Sequence, residues 1–328
     1  MQTRAILFTA PNQAALENIE IPAPEAGEVL IESIYTLISP GTELRCRAGK
    51  QEGLVFPFIP GYSMVGRVIG HGAGVSLPEG TLVFCGGTSK ASVNLAWGGH
   101  AAHAIQPAGG VYPLPEGINP LHAPAAKLAA IAYRGVRLSN PRPHETVAVI
   151  GLGAIGLLAA QFHALSGARV VAADLSPCRV VNAQKAGLEA FVPQGSLGQA
   201  FRAYFPNGAD VVVDATGVPS VLTQAIEVAR DKDWDDSPEL GARVVIQGSY
   251  AGDFSLPYQP VFMKELSFYV PRDVQPRDIR AMLDVMARGK LNEERLISEV
   301  RAPETAPETY AALAEPNTEL ITAVFNWQ

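Results

Sequence analysis

The chain has 328 residues, 48% hydrophobic and 17% charged, with 25 Lys+Arg against 32 Asp+Glu for a formal charge of −7. That balance argues against a protein that coats nucleic acid, and the apolar content suffices for a sizeable core, so whole-chain disorder is a poor reading. Glycines interrupt the longest apolar runs before they reach a membrane span, and no basic segment leads into an apolar leader core; the expectation is a cytoplasmic protein with no membrane passage.

In chain order, residues 3–8, 28–34, 66–70 and 81–84 read as short strands separated by Pro/Gly-rich turns. Residues 123–138 change to an Ala/Leu-rich helical pattern, and 139–143 break it. From there strand and helix signals alternate: strands at 146–150, 168–174, 211–215 and 243–247, and helices at 157–166, 179–186 and 218–230. That order predicts buried parallel strands with crossover helices on their faces. The acidic, proline-containing stretch 231–239 reads as a solvated loop, 277–289 and 307–315 as helices, and 320–327 as a late strand that returns to the first domain. Cys46, Cys85 and Cys178 are far apart and form neither a CxxC pair nor a Cys/His cluster, so they read as small core or boundary residues.

The run Thr146-Val-Ala-Val-Ile-Gly-Leu-Gly-Ala-Ile-Gly156 places a buried strand directly before a glycine-patterned helix start. Gly151 permits the turn, Gly153 lets backbone approach a pyrophosphate, and Gly156 lets helix and strand pack closely. With Ala154 and Ile155 these residues present helix amides to the phosphate. A second strand, Val170-Val-Ala-Ala-Asp174, ends in an acidic residue at the distance where an adenosine ribose is held. Asp174 favours NAD, because a 2′-phosphate there meets a second negative charge. Arg179 offers compensating positive charge and keeps NADP open. Asp214-Ala-Thr-Gly217 follows another apolar strand, which puts Thr216 and Gly217 among the cofactor-binding residues; Asp214 reads at least as readily as structural support as a chemical group. No Walker glycine-lysine run and no Tyr-x-x-x-Lys arrangement follows, so an ATPase and a short-chain dehydrogenase are both disfavoured.

A strand-rich first domain, a late Gly-Leu-Gly-Ala-Ile-Gly motif and a C-terminal return resemble the medium-chain dehydrogenase/reductase superfamily, over almost the whole chain. The resemblance implies an α/β protein with a GroES-like, strand-rich catalytic domain (residues 1–120 and 265–328) around a Rossmann-fold, parallel-sheet domain (121–264). It also implies an NAD(P)-dependent enzyme, a small-molecule substrate in the interdomain cleft, and a homodimer.

Many members hold catalytic zinc through a cysteine near the first active-site turn, a histidine in a Gly-His-Glu segment and a later ligand. Here the turn reads Leu37-Ile-Ser-Pro-Gly-Thr-Glu43, the second segment reads Gly61-Tyr-Ser63, and Lys127 stands at the later position. On this resemblance all three ligands are replaced, the four-cysteine structural-zinc loop is absent after Cys85, and His100 and His103 do not complete a ligand set, so a zinc-independent branch is implied. The Ile-Ser-Pro-Gly-Thr-Glu run is also similar to the bacteriochlorophyllide-type dehydrogenases, which oxidise a hydroxyethyl side chain, while related branches act on sugars and secondary metabolites.

Without zinc, hydrogen-bond donors or a cation must stabilise the developing alkoxide. The resemblance carries Thr42, Tyr62 and Lys127 over as catalytic candidates: Thr42 to relay a proton, Tyr62 to exchange one with substrate oxygen, and Lys127 to stabilise negative oxygen. Glu43 matches a family acidic position and is expected to orient the turn or form a structural salt bridge. The leading expectation is interconversion of a secondary alcohol and a ketone, in specialised metabolism. The alternatives are an enoyl or quinone reductase, and an inactive dinucleotide sensor or scaffold.

Overall fold

In a computed structural model, residues 1–234, 241–250, 252–315 and 318–328 are described. They divide into Met1–Lys127 with Gln275–Gln328, and Leu128–Val274. The breaks thus fall a few residues beyond the 120/121 and 264/265 positions read from sequence.

The Leu128–Val274 unit is built on six parallel strands in the spatial order Glu189–Phe191, Arg169–Ala173, Thr146–Ile150, Val211–Asp214, Arg243–Ile246 and Ser267–Tyr269. The chain builds outward from Thr146–Ile150 in one direction, then returns and builds in the other. The order therefore reverses between Ile150 and Asp214, and in such sheets the crevice for a ligand opens at the carboxyl ends of the two strands flanking that reversal. Val147, Val149, Val211 and Val213 are fully buried, as strands covered on both faces require. Burying each such side chain stabilises the fold by about 1.5–3 kcal/mol.

The crossover helices start where the sequence offers caps. Ser176 accepts the Arg179 backbone N–H and Pro177 follows it, opening the helix Pro177–Lys185. Ser196 accepts from Gln199 and opens Leu197–Arg202, a short helix that the sequence reading did not anticipate. Its Leu197 and Phe201 pack against Val171 and Val212.

The other unit holds a seven-stranded and a four-stranded sheet. In the larger, Glu28–Leu37 is central: it pairs antiparallel with Met64–His71, with His103–Pro107 and, through Val324↔Leu37 and Asn326↔Tyr35, with the C-terminal strand Thr322–Asn326. The late strand thus returns to this unit. Phe8, Phe58, Tyr310 and Phe325 are buried in one core, with the Phe8 and Tyr310 rings edge to face at 4.9 Å.

Gln13–Glu20, His103–Pro107 and Ile297–Arg301 are strands that the sequence reading passed over. Gln13–Glu20 holds no Val or Thr, and pairing with Gln2–Ala10 over nearly its full length makes it a strand regardless. The 37–43 segment, expected as a turn, becomes the helix Pro40–Arg47 from its fourth residue, with Pro40 at the first helical position. Of the 231–239 acidic stretch, Asp231 is described and pairs with Lys264 at 3.1 Å and Arg202 at 3.3 Å, while residues 235–239 lie outside the described residues. Among the described residues no helix is long and apolar enough to cross a membrane.

Candidate active site

The three motif glycines differ in what surrounds them. Gly151 has φ +90°, a left-handed turn that L side chains rarely adopt. A Cβ on Gly156 would lie 1.8 Å from the Gly151 carbonyl oxygen, so only glycine lets the helix Ala154–Leu165 approach the strand. A Cβ on Gly153 would meet nothing within 4 Å. Gly153 is also the N-cap of that helix and offers no side-chain cap, which leaves the first-turn amides of Ala154 and Ile155 for an anion. A tight turn, an open glycine and a close-packed glycine form a backbone cradle that fits a dinucleotide pyrophosphate.

Asp174 stands at the end of the neighbouring strand. Its two oxygens accept the backbone N–H of Leu152 at 2.6 Å and of Ser176 at 2.8 Å, which fixes the carboxylate and leaves each oxygen a further lone pair for ribose hydroxyls. The Arg179 guanidinium lies 3.9 Å from the same carboxylate. Positive charge therefore stands next to the ribose position, as the sequence reading allowed.

Asp214 is fully buried and its acceptors are taken. One oxygen receives the Thr216 N–H at 2.9 Å and the Thr216 hydroxyl at 2.6 Å; the other receives the Tyr250 hydroxyl. Burial and the Asp214 carboxylate both push the Tyr250 phenol well above its ordinary range. Asp214 shapes the loop: it holds Thr216, whose methyl faces Gly151, and the left-handed Gly217 beside the backbone of Ser249.

In the first unit, Ser39, Thr42 and Tyr62 come together. Ser39 is the N-cap of Pro40–Arg47, yet its hydroxyl makes no cap bond. It instead accepts the Tyr62 phenol proton, and the Thr42 hydroxyl lies 3.4 Å from the phenol oxygen. Ser39 is therefore Tyr62's nearer partner, although the sequence reading had singled out Thr42. Lys127 reaches over this cluster, with Nζ 5.8 Å from the Tyr62 ring centroid. It is the second residue of the helix Ala126–Ser139, whose first turn has no acidic side chain. A cation there opposes the helix dipole, a local cost of about 0.3–1 kcal/mol that suits a site needing positive potential.

Beneath the cluster lies a network that the sequence concealed. Glu43 is fully buried; one oxygen accepts the Ser39 N–H at 2.7 Å, and the other faces His100 Nε2 at 3.0 Å and the Tyr310 hydroxyl at 2.5 Å. His100 Nδ1 meets the Thr36 hydroxyl at 2.7 Å, and Thr36 accepts the Trp327 indole N–H at 3.0 Å. With its proton on Nε2, His100 donates to Glu43 and accepts from Thr36, so every group is satisfied. A Cβ on Gly61 would fall 2.5 Å from the His100 ring, so the network also seats the turn that carries Tyr62. Glu43 thus holds the Ser39 turn with one oxygen while the other is fixed by His100 and Tyr310. Burial, reinforced by Glu43, pushes the Tyr310 phenol well up. Neither Tyr310 nor Trp327 carried a sequence signal for this role. His103 hydrogen-bonds Thr3 at 2.8 Å, and burial lowers its pKa.

At the positions that the sequence reading matched to the family's zinc ligands, the donor set differs from the Cys, His and carboxylate groups that commonly hold zinc. Serine and tyrosine hydroxyls and a lysine ammonium stand there, and among the described residues no group of three or more His, Cys, Asp and Glu is placed to hold a metal ion. Burial pushes the Cys46 thiol to about 11 and the Cys85 thiol to about 12.

Comparison with known proteins agrees with this architecture. Residues 25–116 match the alcohol dehydrogenase GroES-like domain, and residues 154–288 match the zinc-binding dehydrogenase domain. The chain is 26% identical to L-galactonate-5-dehydrogenase of Escherichia coli, with all of both chains aligned. It is 23% identical to 2-desacetyl-2-hydroxyethyl bacteriochlorophyllide A dehydrogenase of Rhodobacter capsulatus, covering 100% of this chain and 99% of that one. Among solved structures, the alcohol dehydrogenase TADH of Thermus sp. ATN1 superposes with a TM-score of 0.84 at 25% identity, over 98% of this chain and 99% of the other. With both domains matched and relatives aligned end to end, the chain belongs to the medium-chain dehydrogenase/reductase superfamily of NAD(P)-dependent oxidoreductases.

Proposed function

We propose that the protein interconverts a secondary alcohol and a ketone without catalytic zinc, using NAD(H) in preference to NADP(H). The observation that carries this reading is the Ser39–Tyr62–Thr42 hydroxyl cluster beneath Lys127, in the segments that the sequence reading matched to the family's zinc-ligand segments. Gly151, Gly153, Ala154, Ile155 and Gly156 hold the pyrophosphate through backbone; Asp174 takes the ribose hydroxyls, and Thr216 and Gly217 line the switch-point loop. A bound nicotinamide supplies or accepts the hydride. Tyr62 gives its phenolic proton to the ketone oxygen in reduction and takes it back in oxidation, while Ser39 and Thr42 pass that proton onward. The Lys127 ammonium stabilises the oxyanion that zinc would otherwise bear. The names of the relatives support alcohol oxidation as the reaction class.

The test is turnover after exhaustive dialysis against a chelator, with metal content measured alongside. Retained kcat in metal-free protein, lost in Lys127→Met, is the expected result; activity that vanishes on chelation and returns with zinc sinks the reading. The same preparation fixes cofactor preference, and Arg179→Ala is expected to lower kcat/KM with NADP(H) more than with NAD(H).

We also infer a homodimer. Ser267–Tyr269 is an edge strand of the parallel sheet, and its sequence neighbourhood exposes Tyr258, Phe262, Met263 and Val270, an apolar grouping suited to a second copy. Light scattering that returns a monomer mass at micromolar concentration contradicts this.

A further inference from the structure

Tyr62 also lines a cavity of about 410 Å3 in the first unit, a size suited to a small organic ligand. Four of its walls are aromatic rings, those of Tyr62, Phe84, Trp97 and Tyr112. Tyr62 and Lys127 bring a hydroxyl and an ammonium to one part of the lining, whereas the polar side chains of Thr88, Ser89 and Gln106 make hydrogen bonds into the protein. The Thr88 hydroxyl donates to the Lys90 carbonyl at 2.8 Å and accepts the Ile105 N–H at 3.1 Å. The Ser89 hydroxyl donates to the Ile105 carbonyl at 2.8 Å, and the Gln106 amide donates to the Gly87 carbonyl. A polyol would pair one hydroxyl with Tyr62 and Lys127 and set its others against rings in place of water, whereas a flat apolar group beside the carbinol carbon meets ring faces and edges.

Trp97 adds a second, independent observation. It is a non-glycine residue at φ +71°, a conformation that costs energy and persists only where the surroundings impose it. Ala96 and Gly98, on either side of it, both donate backbone N–H groups to the Ile59 carbonyl, at 2.9 and 3.3 Å. This clamp leaves the indole 46% exposed, edge-on to the Tyr62 ring at 5.3 Å and 85°. An indole held partly in solvent, against the ring proposed to exchange the proton, is placed to contact what that ring contacts.

We infer that this cavity selects secondary alcohols and ketones whose carbinol or carbonyl carbon bears a flat aromatic group, with Trp97 as the specificity-determining ring. The inference rests on the dehydrogenase reading and narrows its substrate class. Reduction of an aryl ketone then consumes one hydride from the reduced nicotinamide and one proton through Tyr62, giving the aryl carbinol and oxidised cofactor.

The experiment compares kcat/KM for 1-phenylethanol, 2-butanol and sorbitol, and measures acetophenone binding by calorimetry with cofactor present. In the unaltered protein the aryl alcohol is expected to lead 2-butanol by about 10-fold or more, and sorbitol by more. Trp97→Gly accommodates the left-handed backbone and removes the ring. It is expected to cut the aryl-to-butanol ratio and the acetophenone affinity by about 10-fold, while Trp97→Phe keeps both within about 3-fold. Turnover of 2-butanol or sorbitol with no aryl preference overturns the inference and leaves the dehydrogenase reading standing. No alcohol turnover, but acetophenone binding that Trp97→Gly weakens, does the reverse. The wild-type preference is decisive even if a variant fails to fold.

Discussion

The two units make their sites from different materials. In the Leu128–Val274 unit the proposed cofactor cradle is backbone: a left-handed turn at Gly151, an open glycine at Gly153 before the first-turn amides of Ala154 and Ile155, and a packed contact at Gly156, all within one strand-to-helix connection. In the other unit the proposed reacting groups are side chains, Ser39, Tyr62 and Lys127, braced by Glu43, His100, Tyr310 and Trp327. A site made of backbone depends on where side chains are absent and tolerates change around it. A site made of side chains depends on each partner, and losing one leaves another unsatisfied.

That contrast breaks most sharply at Tyr62. Replacing it with Phe keeps the ring against Trp97 and removes the proton, and kcat is expected to fall by about 10²–10⁴-fold. Cofactor affinity, measured by fluorescence titration, should stay within about 3-fold, because the cradle is built elsewhere. A parallel loss of cofactor binding would refute the separation of roles.

Glu43→Gln tests the bracing. The amide cannot accept from Ser39, His100 and Tyr310 as a carboxylate does, and about 1–3 kcal/mol of stability is expected to disappear in denaturant unfolding. If the variant unfolds at the wild-type midpoint, the network carries no weight.

Gly153→Ala and Gly156→Ala sharpen the backbone side of the comparison. A methyl at Gly153 meets open space, so the melting temperature should hold while cofactor affinity drops about 10-fold; at Gly156 the methyl strikes backbone, and both should fall. Equal melting temperatures would show that the helix yields more readily than its packing implies.

The last expected effect concerns acid. Burial pushes the His163 ring, which hydrogen-bonds the Ala159 carbonyl, down to about 4. Its folded value lies below its unfolded one, so the folded protein excludes a proton that the unfolded chain binds. Stability from this group is complete above about pH 6.5 and lost as pH falls toward 4, by up to roughly 3 kcal/mol. His163→Leu should flatten that part of the pH–stability curve; an unchanged slope places the acid response elsewhere.

How much could be read from sequence follows the same division. The 146–150 strand, its glycines and Asp174 were legible because parallel strands buried on both faces form continuous apolar runs and the phosphate turn is local. Tyr62 and Lys127 stood out only as replacements within a family pattern. Ser39 as the phenol's partner was hidden, since one residue decides whether its hydroxyl caps a helix or faces across to Tyr62. The Glu43–His100–Tyr310 bracing was hidden for a longer-range reason: Glu43 and Tyr310 lie 267 residues apart and no periodicity links them. Gln13–Glu20 likewise became a strand through tertiary pairing that its composition does not announce.

The strand Thr322–Asn326 completes the large sheet against Glu28–Leu37, and Trp327 beyond it donates to Thr36. The sheet and hydrogen bonds around Thr36 therefore need chain made almost three hundred residues later. The Leu128–Val274 fold, whose strands all lie within one stretch, is free to assemble first during synthesis.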